Sequence, residues 1–436
     1  MKSSVKSSTF YTFFLLFFII YGPNFTYSLL KLNTTLYLCG IGFFIFLLIF
    51  IRIGIDRKFQ FYMILTFILL IYILFFVYFF AQFQDWMLLN YHFLFYFSFI
   101  SSIGWAYIIK YYLKINEQKF LYFIFLSTFI NSCILYLLYF IPPLRDLTNS
   151  FITGYEKFVD IYGRNRLICI NKTAGASSSV LILMGLFSGF FIRKSIIGIK
   201  KYWCMSLLIL ISLLFVGRTG FFLFIVILPI SYLLEYIILN DKKKLKNLIF
   251  MLVILVFVIF ILISLIMANS DYMLTNKIFK RYVVTIRYIM ERGLLNEPTV
   301  NKLLDKHYHL PDESNTILLF GTGSFGRNKE LGFDIGSDVG YIKTIYSIGI
   351  IGSFIVYFFY FCVFIFSFIN FIKNKSILLC YITTIILILF ISEFKESMFG
   401  KVHHSIILFI ALFVSILNTS KRKVKFIFNG NRIFNR

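Results

Sequence analysis

Apolar residues in this chain fall in blocks of about twenty, separated by shorter polar interruptions rich in Lys and Arg. A helix rises 1.5 Å per residue, so roughly 17–25 mostly apolar residues cross a bilayer. Such blocks lie at 9–22, 33–51, 60–80, 87–109, 119–141, 174–192, 202–216, 219–239, 247–268, 339–369, 376–394 and 402–418. They predict an all-α, polytopic integral membrane protein of about 12 transmembrane helices, a single transmembrane domain over residues 1–436. The first and seventh blocks are short enough to be tilted or partly re-entrant. Residues 202–239 are too many for one crossing, so the chain must turn at Gly217-Arg218-Thr219-Gly220. The opening stretch resembles a signal peptide, but it lacks a clear small-residue cleavage site, and a retained first helix is expected.

Composition agrees with the pattern. Hydrophobic residues make up 60% of the 436, charged residues only 14%, and the mean hydropathy is +0.86. Soluble domains carry about 25% charged residues, so a globular chain of this kind would have nothing to cover its surface. The net charge of +24 does not indicate nucleic acid, because the cations form short clusters between apolar runs rather than one patch. The six cysteines show no CxxC and no metal spacing, and Cys169 stands alone in a polar segment.

Those clusters orient the chain. With the N-terminus inside, 24 of the 43 Lys and Arg fall in cytoplasmic segments, whereas the short outer loops hold only Lys31, Arg218, Lys395 and Lys401. Both termini are therefore expected in the cytoplasm. Two longer segments are then extracytoplasmic: residues 142–173, and residues 269–338, which have enough polar residues for a small cap. No internal repeat is evident, against a transporter built from duplicated halves.

The polar residues of the outer face carry the candidate chemistry. An arginine at mid-membrane costs about 2.5–3.5 kcal/mol on insertion scales, less near an interface. Arg218 therefore reads either as a snorkelling boundary residue or as a guanidinium held to grip phosphate bidentately. Arg164, Arg166 and Lys172 precede a small-residue helix start at Ser177, Ser178 and Ser179, where a helix N-terminus favours anions; interfacial flanking and close packing are the alternative. Residues 277–292 form an amphipathic helix with Ile278, Tyr282, Ile286 and Ile289 on one stripe. Lys280, Arg281 and Arg287 lie off that stripe, facing lipid phosphates or simply solvent.

The stretch GTGSFG fits GxGxxG, but without a βαβ unit it reads as a tight irregular loop over the membrane opening. It delivers Asp334 and Asp338 just before a helix, where carboxylates cap the N-terminus or act as acid and base. His307 and His309 with Asp305, Asp312 and Glu313 fit no familiar metal spacing. Glu393, ending a span, is a functional candidate with Lys395 or an arginine as its partner, and His403 and His404 are given no role.

The multi-span layout, the GRTG turn between paired helices, and GTGSFG followed by SDVGYIKTIYSIGIIG together resemble the bacterial O-antigen and capsule polymerase family (Wzy-type), relatives of O-antigen ligase. Arg164 and Gly175 match the Arg, ten residues, Gly spacing of some such polymerases, with no second copy in the large loop. Ligases carry a histidine where Asp338 stands, three residues before Tyr341, a departure that favours polymerase over ligase.

The resemblance implies a metal-independent glycosyltransferase of the bacterial cytoplasmic membrane, using no cofactor. Its partners would be undecaprenyl-diphosphate-linked oligosaccharides, membrane lipids, a chain-length regulator and a flippase. In that reading Arg218 and Arg166 hold diphosphate, Arg164, Arg281 and Arg287 support them, and Asp338 orients or deprotonates the acceptor. A ligase using a different acceptor and a flippase for the same lipid are the alternatives.

Overall fold

The computed structural model describes residues 2–22, 24–27, 30–53, 56–77, 79, 85–151, 175–239, 264, 283–284, 287–288, 290–291, 293, 301, 308, 315–324, 327–328, 333–334, 337 and 339–419. Among these, nine helices are long and apolar enough to cross a membrane, and two shorter apolar helices, Phe10–Tyr21 and Ile377–Ser392, accompany them. The candidate span at 247–268 lies outside the described residues except for Ser264.

In chain order the helices are α1 (Lys2–Tyr21), α2 (Thr34–Ile53), α3 (Arg57–Tyr72), α4 (Trp86–Tyr107), α5 (Glu117–Phe140), α6 (Pro142–Phe151) and α7 (Gly175–Ile192). They continue with α8 (Ile199–Val216), α9 (Arg218–Leu239), α10 (Asn315–Phe320), α11 (Gly340–Asn374), α12 (Ile377–Ser392) and α13 (Val402–Thr419). Several start where a short polar side chain accepts a first-turn amide, leaving fewer orphan donors at the helix end. Asp56 accepts from Lys58 N at 3.0 Å, Asp85 from Met87 N at 2.8 Å, and Asn116 from Lys119 N at 2.9 Å. Departures from helix include two short antiparallel hairpins, β1 (Asn24–Tyr27) with β2 (Leu30–Asn33), and β3 (Arg327–Asn328) with β4 (Phe333–Asp334).

Two helices form the centre. α7 is buried on nearly every side among α5, α8, α9 and α12, and α13 is buried beside α4 and α12. Helices that are apolar all round belong in such positions. Close approach is set by small residues: a side chain at Gly185 or Gly189 of α7 would run into Thr128 or Phe125 of α5. Hydroxyls in this interior bond back to their own helix, as Ser179 does to Ala176 O at 2.8 Å.

Deep between α7 and α9, Arg193 pairs with Glu235, which also accepts from Lys194 at 2.9 Å, and the guanidinium lies 3.7 Å from the centre of the Phe190 ring. Arg193 thus does more than orient the chain, because it fastens α9 to the central helix.

The helix α11 is broken. Gly349 sits at φ 70° and ψ 178°, a region essentially reserved for glycine. The break leaves carbonyls of the preceding turn without intrahelical partners. Thr322 N reaches Tyr346 O at 2.7 Å, Gly323 N reaches Ser347 O at 3.1 Å, and the Tyr72 hydroxyl donates to Ile348 O at 2.9 Å. The GTG loop is therefore docked into the break, satisfying backbone that bare lipid would leave unpaired.

Candidate functional site

At the end of the bundle where α2, α4, α7, α9, α11 and α13 all begin, the starts of α7, α9, α11 and α13 frame a mouth. The junction of α7 with α9 is the tightest. A Cβ on Gly217 would sit 2.8 Å from Gly175 O, and one on Gly220 would sit 2.7 Å from Ser179 Cβ. The GRTG turn and the small-residue helix start of 174–179 therefore meet, which neither segment predicts alone. Arg218 opens α9 as its first residue. Two helix N-termini side by side bring two positive dipole ends together.

α13 joins this mouth through His404, whose Nε2 donates to Ser177 O at 2.9 Å, so a histidine left without a role ties the last helix to the α7 start. Its Nδ1, also buried, has no hydrogen-bond partner among the described residues.

The loop between α12 and α13 closes the other side. Glu393 is not inside a span but caps α12, and it is completely buried. The expected cationic partner is replaced by backbone: Glu393 Oε1 accepts from Met398 N and, at 2.7 Å, from Phe399 N, while Lys401 pairs with Glu396 at 2.7 Å. Among the described residues Oε2 has no hydrogen-bond partner, and it rests against Gly340, where any side chain would collide with it. Gly340 N donates to the Glu393 carbonyl at 2.8 Å, fixing the start of α11. Burial pushes the carboxyl up to about 7, against the lowering effect of the Phe399 and Met398 amides and of Lys401.

Aromatic residues wall this loop. Tyr91 of α4 donates to Phe399 O, Tyr341 of α11 donates to Phe390 O at 2.8 Å, and Tyr360 accepts from Gly400 N at 3.2 Å. Behind them a narrow cavity lined by Tyr91, His92, Thr344, Ser347, Tyr360 and Ser397 has room for about one water molecule. The sequence offered no signal for these tyrosines, because one residue in five of the chain is aromatic.

The segment 269–338 meets this end at a few described points. Tyr308 donates to Phe394 O at 2.8 Å, and Ser324 donates to Asp85 at 3.1 Å. Arg287 is half-buried in a helical stretch of that segment. Arg164, Arg166, Arg281 and Asp338 lie outside the described residues, as do Asp305, His307, His309, Asp312 and Glu313. Among the described residues no three His, Cys, Asp or Glu side chains gather as a metal site.

Fold and mouth define a class, a polytopic α-helical membrane protein with a polar, glycine-packed face at one end of its bundle. No protein-family model, curated protein or solved structure matches the chain.

Proposed function

We propose that the chain is a membrane glycosyltransferase of the O-antigen and capsule polymerase type, acting on undecaprenyl-diphosphate-linked oligosaccharides at the outer face of the bacterial cytoplasmic membrane. In this reading both termini are cytoplasmic and the four-helix mouth faces outward. The observation that supports it most is the α7–α9 junction, where two anion-favouring helix starts and Arg218 share one site.

The chemistry suits such a place. A sugar hydroxyl of the incoming lipid-linked unit attacks the anomeric carbon of the growing glycan. The new C–O bond forms as the bond to diphosphate breaks, the lipid diphosphate leaves as an anion, and the hydroxyl proton passes to a carboxylate, here assigned to Asp338. Charge builds on the leaving oxygens, and Arg218 with Arg166 is assigned to meet it, with Arg164, Arg281 and Arg287 in support.

The break in α11 favours a second reading, a transporter of the same lipid, because broken helices bind substrate at mid-membrane in many transporters. Against it, carbonyls freed by this break are taken up by Thr322, Gly323 and Tyr72.

A polysaccharide gel from a deletion strain carrying Arg218→Ala separates the readings. Polymerase action requires loss of the long-chain ladder with single capped units retained, a fall of about 100-fold or more in polymer. Arg218→Lys should also be impaired, since lysine keeps the charge but lacks the planar fork. An unchanged ladder removes the assignment, and loss of all capping points to a ligase or flippase.

A further inference from the structure

A groove of about 520 Å³ runs between α3 and α11, away from the mouth just described. The helices are antiparallel there: Tyr72 of α3 meets Ile348 near the break, whereas Tyr62 packs on Phe359 and Phe366, and the Lys58 ammonium lies 5.6 Å from the Phe366 ring. Along α11 the groove is lined at Phe358, Phe361 and Ile365, a stripe about 10 Å long that parallels the helix axis. Its walls are almost entirely apolar, but its rim is not, because Arg57 and Lys58, both exposed, open α3 there. The neighbouring carboxylate, Asp56, accepts the Lys58 backbone amide at 3.0 Å as the helix cap.

We propose that this groove binds one anionic phospholipid, with an acyl chain along the α3–α11 stripe and its phosphate held by Arg57 and Lys58. Two observations agree. The slot is elongated and apolar, as a hydrocarbon chain requires. The cations stand at one end of it rather than along it, as a headgroup requires. A soluble anion would use the rim and leave the groove empty, so the occupant is a lipid. The site needs only that this end of the bundle meets a lipid leaflet, and it stands or falls separately from glycosyl transfer.

Native mass spectrometry of the purified full-length chain, titrated with phosphatidylglycerol or phosphatidylethanolamine, tests this. Wild type should retain one phosphatidylglycerol per chain in preference to phosphatidylethanolamine, and inorganic phosphate should not displace it. The double variant Arg57→Gln/Lys58→Gln should weaken retention on the order of thirtyfold, at about fivefold per cation. Cys362→Trp, which fills the groove and keeps both charges, should weaken it as well, with size-exclusion elution confirming the fold. Lys200→Gln/Lys201→Gln, changing two exposed cations elsewhere, should leave it unchanged. Equal retention of the two lipids, displacement by phosphate, or full retention by either groove variant would overturn the proposal.

Discussion

Replacing Glu393 by Gln should make the protein more stable at pH 8 than at pH 5, relative to wild type. The carboxyl is completely buried and held near 7, against an ordinary value of 4.5. The folded chain therefore binds this proton more tightly than the unfolded chain does. Stabilisation from the protonated form is complete below about 4.5 and is lost as pH rises through about 7. A gap of 2.5 pH units is worth about 3 kcal/mol, of which about 2–3 kcal/mol falls between pH 5 and 8. Glutamine has the shape of the neutral acid, and its carbonyl can still accept from Met398 and Phe399. Reversible unfolding of both proteins in mixed detergent micelles across pH 5–8 measures the difference directly. Subtracting the two curves removes every group that the substitution leaves alone, His403 and His404 included. The Gln variant should gain on wild type steadily as pH rises. A difference that is flat within about 0.5 kcal/mol, or that shrinks with rising pH, would mean that burial does not govern this carboxyl.

Further substitutions probe the frame of the bundle. Gly349→Ala places a Cβ 2.1 Å from Leu319 O in a backbone region costing about 1–3 kcal/mol, so folded yield by fluorescence-detected size exclusion should fall sharply. Gly40→Ala, in a helical site with nothing within 4 Å, should be neutral or gain about 0.5–1 kcal/mol in the same assay. Glu235→Ala should cost about 3–5 kcal/mol by leaving Arg193 buried and uncompensated, and Arg193→Met on that background should recover much of the loss in thermal unfolding. A double variant as unstable as the single one would show that the pair is not an electrostatic unit.

The spans were legible because hydrocarbon thickness imposes a block length that no loop mimics. Three apolar blocks expected from 60, 87 and 119 correspond to helices starting at Arg57, Trp86 and Glu117, because the caps Asp56, Asp85 and Asn116 set the starts slightly ahead of the apolar run. What escaped was pairing at long range. Glu393 stood out as an ionisable residue beside a span, yet its partners are peptide groups, and no side-chain identity encodes those. Arg193 and Glu235 lie 42 positions apart, and only the packing of α9 on α7 joins them. The site residues divide in the same way: Arg218 and Ser177–Ser179 belong to segments that the fold brings together, a meeting that depends on Gly217 and Gly220 having no side chains.

The break at Gly349 was hidden for a different reason, since glycine is common in membrane helices and SIGIIG reads as part of one span. Its consequence reaches the mouth. The stretch from Gly340 to Gly349 is a half-helix of about three turns, too short to be stable in isolation. Its position is set from outside itself: by Glu393 at its first amide, by Tyr341 on Phe390, and by the GTG loop and Tyr72 at its last carbonyls. A half-helix held at both ends has its N-terminus placed by these contacts rather than by the remainder of α11. The glycine loop thus has a structural part independent of any nucleotide, because its amides take up the carbonyls that the break at Gly349 frees.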